Sequence, residues 1–288
     1  MQIIKPVFAV NDRKSLEMEL NSDRASNCHR YENSIADSAV ADNFSVSGYC
    51  NCCKKNTNFE VDLLWGGVVK NGKRRPNWRE RLVCPSCGMN NRQRLVATLA
   101  LQATISRPNE CVYFMEQVTP IFRWVVSNIN TKNIYGSEYL DHRYKGGTSI
   151  NGIRHEDIMS LSFEDQELTF IFSNDVFEHV PNPKKAFHEC HRVLRHGGEM
   201  IATFPFHYLQ DNTVTRARLE NGKLQTLLNP IYHGNPVSEE GSLVFSDFGW
   251  DIFAIFESCG FSSALLEGYY SSDFGHIGGD QLVFRIIK

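Results

Sequence analysis

Between Leu168 and Phe206 the chain passes from an apolar run, LTFIFSND, through a turn and a helix-like segment into a second apolar run, EMIATFPF. Two short apolar runs joined by a crossover helix point to a right-handed βαβ unit in a parallel sheet. The helix is read over 183–194, where Asn182 can cap it and Pro183 suits its first turn. Ala186, Phe187, Cys190, Val193 and Leu194 fall on one face, and Gly197-Gly198 supplies the stop.

The alternation extends to both sides. CVYFME (111–116) reads as a first strand followed by a helix over IFRWVVSNI, and NIYGSEYL (133–140) as a second strand. GIRHEDI (152–158) is a third, weak strand, and DIFAIFESCGF is a further helix with a glycine stop. ALLEGYY and QLVFRIIK close the chain as an antiparallel pair on an otherwise parallel sheet. The fold class is therefore α/β: a Rossmann-like, seven-stranded, mostly parallel sheet with helices on both faces.

Ahead of this domain stand two cysteine pairs. Cys50-Asn-Cys-Cys53 and Cys84-Pro-Ser-Cys87 each leave two residues between sulfurs, with 30 residues between the pairs. Such a gap lets one tight turn present two thiolates to a tetrahedral ion, and Gly88 suits the turn after the second pair. Cys50, Cys53, Cys84 and Cys87 are the candidate ligands of a structural zinc ion, since four thiolates close the shell. Cys52 does not fit the spacing. The sequence divides into a polar leader at 1–43, weakly periodic with one short helix near 12–21, a zinc-ribbon-like module at 44–90, and an α/β domain at 91–288. A helix over 91–105 would link module and domain.

Ligands of open α/β sheets sit beyond the carboxyl ends of the strands. Glu138, after Gly136, closes the second strand and can accept the two hydroxyls of a ribose. Asp157, at the end of the third, is placed to meet an adenine amino group, with Ile158 against the ring.

The stretch LSFEDQELTFIFSNDVFEHVPNPKKAFHECHRVLRHGGEMIATFPF (161–206) resembles the central part of class I S-adenosylmethionine-dependent methyltransferases, and the resemblance extends over roughly residues 105–288. The cysteine-rich front is similar to the extension of a bacterial subgroup in which such pairs are expected to hold zinc. The resemblance implies S-adenosylmethionine as cofactor, with Glu138 on the ribose and Asp157 on the adenine. Asn174 and Asp175 would lie beside the methionine part, and Glu116 keeps the family's leading acid. The Glu178-His179 pair is more often structural than catalytic in such proteins. Two departures stand out. The first loop, Phe-Met-Glu116-Gln-Val-Thr-Pro, has no glycine where the family's is glycine-rich, and Thr169 replaces a common Asp.

The insertion at 207–243 is the candidate cover of the substrate pocket. His207 and His233 are its candidate bases, because an imidazole has the pKa for taking a hydroxyl proton. Arg216 and Arg218, two apart, would share a strand face and could hold an anion. Arg74, Arg75, Arg79, Arg81, Arg92 and Arg94, with Trp78 among them, form the one basic concentration, able in principle to touch nucleic acid. The formal net charge of −3 argues against wholesale nucleic-acid wrapping, and no apolar run reaches the length of a membrane span. Without a signal sequence at the N-terminus, the cytoplasm is the expected compartment. The leading expectation is methyl transfer to an oxygen or nitrogen of a small molecule or saccharide. Its rivals are a zinc-guided binder or modifier of RNA or protein, and a non-catalytic scaffold with a degenerate cofactor site.

Overall fold

The structure, a computed structural model, describes residues 2–131 and 133–288; Met1, which begins the expected leader, and Lys132 lie outside the described residues. Seven strands form the central sheet. In chain order β1 is Phe8–Val10, β2 Val112–Phe114, β3 Ile134–Gly136, β4 Leu168–Asn174, β5 Leu194–Thr203, β6 Ser263–Ser271 and β7 His276–Ile287. Across the sheet the order is β1-β6-β7-β5-β4-β2-β3. β3, β2, β4 and β5 run parallel, with Phe114 opposite Gly136 and Phe172 opposite Phe114. β7 is antiparallel to β5, and β1 to β6. The expected antiparallel finish is present.

The centre of the sheet is buried along both faces. Val112, Tyr113, Phe114, Ile171 and Phe172 are all fully enclosed, and the Phe114 and Phe172 rings stack at 4.7 Å. Strands covered on both sides read as continuous apolar runs, which is why these were legible. The longer helices are α1 (Arg13–Leu20), α2 (Asp23–Ser38), α3 (Asn91–Ser106), α4 (Pro120–Asn128), α5 (Pro183–Val193) and α6 (Ile252–Ser258). α5 begins as its sequence directs: the Asn182 side chain accepts from the Lys185 amide at 3.0 Å, and Ala186, Phe187, Cys190 and Val193 are buried. Leu194 already belongs to β5, which runs straight through Gly197-Gly198 instead of starting after them.

The third expected strand is not a full strand. Ser149–Ile150 and Ile153–Arg154 form a small antiparallel hairpin, and only a parallel bridge from Glu138 to His155 extends the sheet there. The reason is local: Arg154, Glu156 and Ser162 bond one another through their side chains, and the chain turns at Asp157–Ser160. The seventh strand comes from β1 instead.

The chain divides into two compact units. The first takes the described residues up to Ser106 with Ser127–Ile129 and Leu266–Val283; the second takes Arg107–Val126, Asn130–Leu265 and Phe284–Lys288. In the first unit, the segment read as a weakly ordered leader forms α1 and α2, capped by Asp12 and Ser22. Polar composition concealed its anchors. Glu32, 5% exposed, accepts from the amides of Gly278 and Gly279 at 2.8 Å each, and Arg24 makes a two-pronged bond to Asp280. α3 is enclosed nearly all round, from Arg94 through Ala100.

In the second unit the insertion forms short hairpins, Ala217–Glu220 with Lys223–Thr226 and Tyr232–Asn235 with Ser238–Leu243. No helix among the described residues is long and apolar enough to cross a membrane.

Candidate cofactor site and metal centres

In the first unit both cysteine pairs sit on turns at strand ends. Phe44–Cys50 pairs antiparallel with Lys55–Val61, and Cys50 to Lys54 make the connection, with Lys54 at φ 55°. Leu82–Val83 joins the same small sheet and leads into Cys84, whose carbonyl accepts from Gly88 N at 2.8 Å; Gly88 takes φ 70°. The four sulfurs of Cys50, Cys53, Cys84 and Cys87 all lie within 4.8 Å of one another, with Cys50–Cys87 at 4.0 Å and Cys53–Cys84 at 3.8 Å. A tetrahedron of about 2.3 Å zinc–sulfur bonds has edges of about 3.8 Å. The 4.0 and 3.8 Å separations are close to that edge, so the cluster is one that could hold a zinc ion. Cys52 is not one of the four; its thiol neighbours Cys50 and also lies 3.5 Å from the Arg94 carbonyl and 3.8 Å from the Thr98 hydroxyl.

Arg94 lies fully enclosed next to this cluster. Its guanidinium covers the Phe59 ring at 3.9 Å and donates to the carbonyls of Phe274 and Gly275 at 2.9 and 2.8 Å. The other members of the basic concentration are ion-paired: Arg74 with Asp42, Arg75 with Asp37, Arg81 with Asp62, and Arg79 and Arg92 with Glu80. An arginine cluster neutralised in this way offers little net charge to phosphates.

In the second unit, Glu116, Glu138 and Asn174 converge at the carboxyl ends of β2, β3 and β4. Glu116, 7% exposed, accepts from the Asn174 amide nitrogen at 2.5 Å. The Asn174 carbonyl oxygen Oδ1 is buried with no hydrogen-bond partner. Glu138 Oε1 accepts from the backbone amides of Gln117 and Val118 at 2.7 and 3.0 Å. Burial pushes the Glu138 carboxyl above its usual range, and these two amides pull it back. The glycine-free loop is thus held by the acid at the end of the neighbouring strand. Gly136 is required by packing: a Cβ there would stand 2.4 Å from the Phe122 ring and 2.9 Å from the Glu116 carbonyl oxygen.

Asp157 accepts from the Met159 amide at 2.9 Å within its own turn, next to the buried Ile158. Asp175 takes φ 53°, and its Oδ1 accepts from the Thr203 hydroxyl at 3.1 Å. Thr169 donates to Glu110, which Arg195 also holds.

The two candidate bases stand on different carboxylates. His207 Nε2 lies 3.7 Å from Asp247, whereas His233 Nδ1 lies 3.6 Å from Glu178. Arg216 and Arg218 do not share a face: Arg216 is bound to Asp247 and the Asn229 carbonyl, and Arg218 is exposed beside Gln225 and Glu220. Two residues take larger parts than their sequence context suggested. Gln117 links the first loop to Arg154 N at 2.7 Å and to the Gly152 carbonyl at 2.9 Å. Glu178 is fully buried between two histidines. The Asp-Val-Phe-Glu-His run was the available signal for Glu178. No local signal marks Gln117.

Residues 125–202 match the family model described as a methyltransferase domain. A stretch of 57 residues is 40% identical to an uncharacterised protein of Methanocaldococcus jannaschii, covering 20% of this chain and 26% of that protein. The chain thus matches only about a quarter of the length of that curated relative. Among solved structures, an S-adenosylmethionine-dependent methyltransferase from Mesorhizobium loti is 12% identical, with a TM-score of 0.42, covering 67% of this chain and 98% of that one. One from Methanosarcina mazei is 13% identical, with a TM-score of 0.35, covering 63% and 92%.

Proposed function

We propose, from the premise that this chain carries a methyltransferase domain, that it moves a methyl group from S-adenosylmethionine to an oxygen or nitrogen of a small molecule or saccharide. The observation that supports this reading best is the convergence of Glu116, Glu138 and Asn174 at adjoining strand ends, where open α/β sheets take their ligands. The donor set suits the cofactor. The unpartnered Asn174 carbonyl is an acceptor for an ammonium group, and a buried acceptor left unmade costs about 1–3 kcal/mol. Glu138 would take the ribose, Asp157 with Ile158 the adenine, and Glu116, Gly136 and Asp175 would frame the methionine end. When bound, S-adenosylmethionine supplies a methyl group on an electrophilic sulfonium.

The chain's own part is alignment and proton removal. His207, half-buried with Nε2 3.7 Å from Asp247, is the candidate base for an acceptor hydroxyl. His233, the other candidate, faces Glu178. Cys50, Cys53, Cys84 and Cys87 would hold a structural zinc ion, and the cytoplasm, where thiolates stay reduced, suits that site. The RNA-binding alternative draws no support from arginines that are ion-paired or enclosed. The scaffold alternative rests on the glycine-free loop, which Glu138 holds in place.

The test is calorimetric titration of zinc-replete protein with S-adenosylmethionine and S-adenosylhomocysteine. Binding that Glu138→Ala weakens at least tenfold, about 1.4 kcal/mol, is the expected result. Absence of heat together with absence of a thermal shift would put the scaffold in first place.

A further inference from the structure

Glu178, His179 and His233 bring one carboxylate and two imidazoles together in the second unit, with ligand atoms all within 4.8 Å of one another. Glu178 is 0% exposed, and neither of its carboxylate oxygens has a hydrogen-bond partner. His179 Nε2 and His233 Nδ1 each stand 3.6 Å from the same Glu178 oxygen, beyond hydrogen-bond reach. A buried carboxylate without partners is costly, and an ion between the three groups would remove that cost.

The two histidine nitrogens would have to close in from 3.6 Å to share such an ion with Glu178. Ligand atoms about 2.1 Å from a common centre stand about 3.0–3.4 Å apart at octahedral to tetrahedral angles. His179 also has the support that ligand histidines usually have: its other ring nitrogen, Nδ1, is 2.9 Å from the Leu243 carbonyl. An Nδ1–H donated there leaves the Nε2 lone pair facing Glu178. The rings of His179 and His233 meet edge to face at 4.9 Å. The anchoring continues through the backbone, where the Glu178 carbonyl accepts from Phe245 N at 2.7 Å.

We propose that Glu178, His179 and His233 form a second metal site, separate from the four cysteines, that takes a divalent ion of the manganese-to-zinc series. Its ligands are nitrogen and oxygen, so its chemistry is the opposite of the thiolate cluster's. Three protein ligands leave coordination positions open, and His233, on the insertion, is the most exposed of the three. An oxygen ligand fits the open positions. Resting on the methyl-transfer reading, this narrows the acceptor to a hydroxyl-bearing molecule and makes His233 a ligand, leaving His207 as the base.

The probe is Mn²⁺, which a four-thiolate site takes poorly. Wild-type protein brought to one zinc ion per chain, with excess zinc removed, is titrated with Mn²⁺, and free ion is followed by its electron paramagnetic resonance signal. The expected result is uptake of one Mn²⁺ per chain, weakened at least about tenfold in Glu178→Gln and in His233→Asn, with zinc content unchanged. Glu178→Gln alters a buried position, so each variant's thermal melt is recorded; His233→Asn, on a half-exposed residue, keeps the test valid if the first variant does not fold. Absence of Mn²⁺ uptake by wild type, or equal uptake by both folded variants, overturns the proposal. The titration uses no cofactor, so its failure leaves the S-adenosylmethionine result standing, and the reverse also holds.

Discussion

Arg94 is a guanidinium fully enclosed beside four sulfurs, and electrostatics explains its position. Four thiolates around a divalent ion carry a net charge of about −2, and a nearby fixed cation offsets it. Burial lowers the Arg94 pKa, while the neighbouring cysteines act in the opposite direction. Replacing it with Met would remove the charge and leave the Phe274 and Gly275 carbonyls unpaired. Arg94→Met is expected to destabilise the protein by about 3 kcal/mol or more, read as a lower urea midpoint. The cysteines give a sharper contrast. Cys53→Ser is expected to lose zinc binding, and Cys52→Ser to retain it, because Cys52 lies outside the four-sulfur cluster. Zinc content of the two purified variants checks this.

Among the elements, α2 depends on few contacts of high value. Its one buried acid, Glu32, accepts the amides of Gly278 and Gly279, and Gly278 has to be glycine, since its φ is 98° and a Cβ there would stand 2.2 Å from that of Trp78. Glu32→Ala leaves two amides unsatisfied and is expected to cost about 2–4 kcal/mol, with faster amide exchange along α2 as its local signature. β3 and α4 meet with similar tightness at Gly136. The methyl group of Gly136→Ala would collide with Phe122, so about 1–3 kcal/mol of overpacking is expected. A melting curve of that variant measures it.

At the level of the whole molecule, pH dependence runs through His276. It is 1% exposed, its Nδ1 lies 2.7 Å from Asn91 Oδ1, and burial, followed by the charge of Arg94, holds its pKa well below 6.5. The unfolded chain protonates this imidazole near pH 6.5 while the folded chain keeps it neutral, so the unfolded state binds more protons below that pH. The stability due to a neutral His276 is complete above about pH 6.5 and falls as the solution is acidified. The melting temperature of zinc-replete protein is expected to decline between about pH 7 and pH 5.5, and less steeply in His276→Gln. A flat profile in the wild type would remove His276 as the cause.

The sequence by itself determined the elements whose burial is complete. LTFIFSN and VYF are enclosed on both faces, save Asn174 at the end of the first, and a strand of that kind is mainly apolar. It also determined α5 through Asn182 and Pro183, and the two-residue cysteine gaps through the reach of one turn. Only the tertiary structure decided where isolated polar residues would find partners. The leader's polarity concealed Glu32, whose amide partners lie more than 240 residues away. Similarly, 152–158 kept only one bridge beside β3, because Arg154, Glu156 and Ser162 bonded each other, and the seventh strand, β1, stands at the opposite edge of the sheet. The Glu178 cluster follows the same logic. Glu178-His179 is visible as a dipeptide, but His233 joins it from the insertion, and a hairpin's return path depends on packing that no local pattern records.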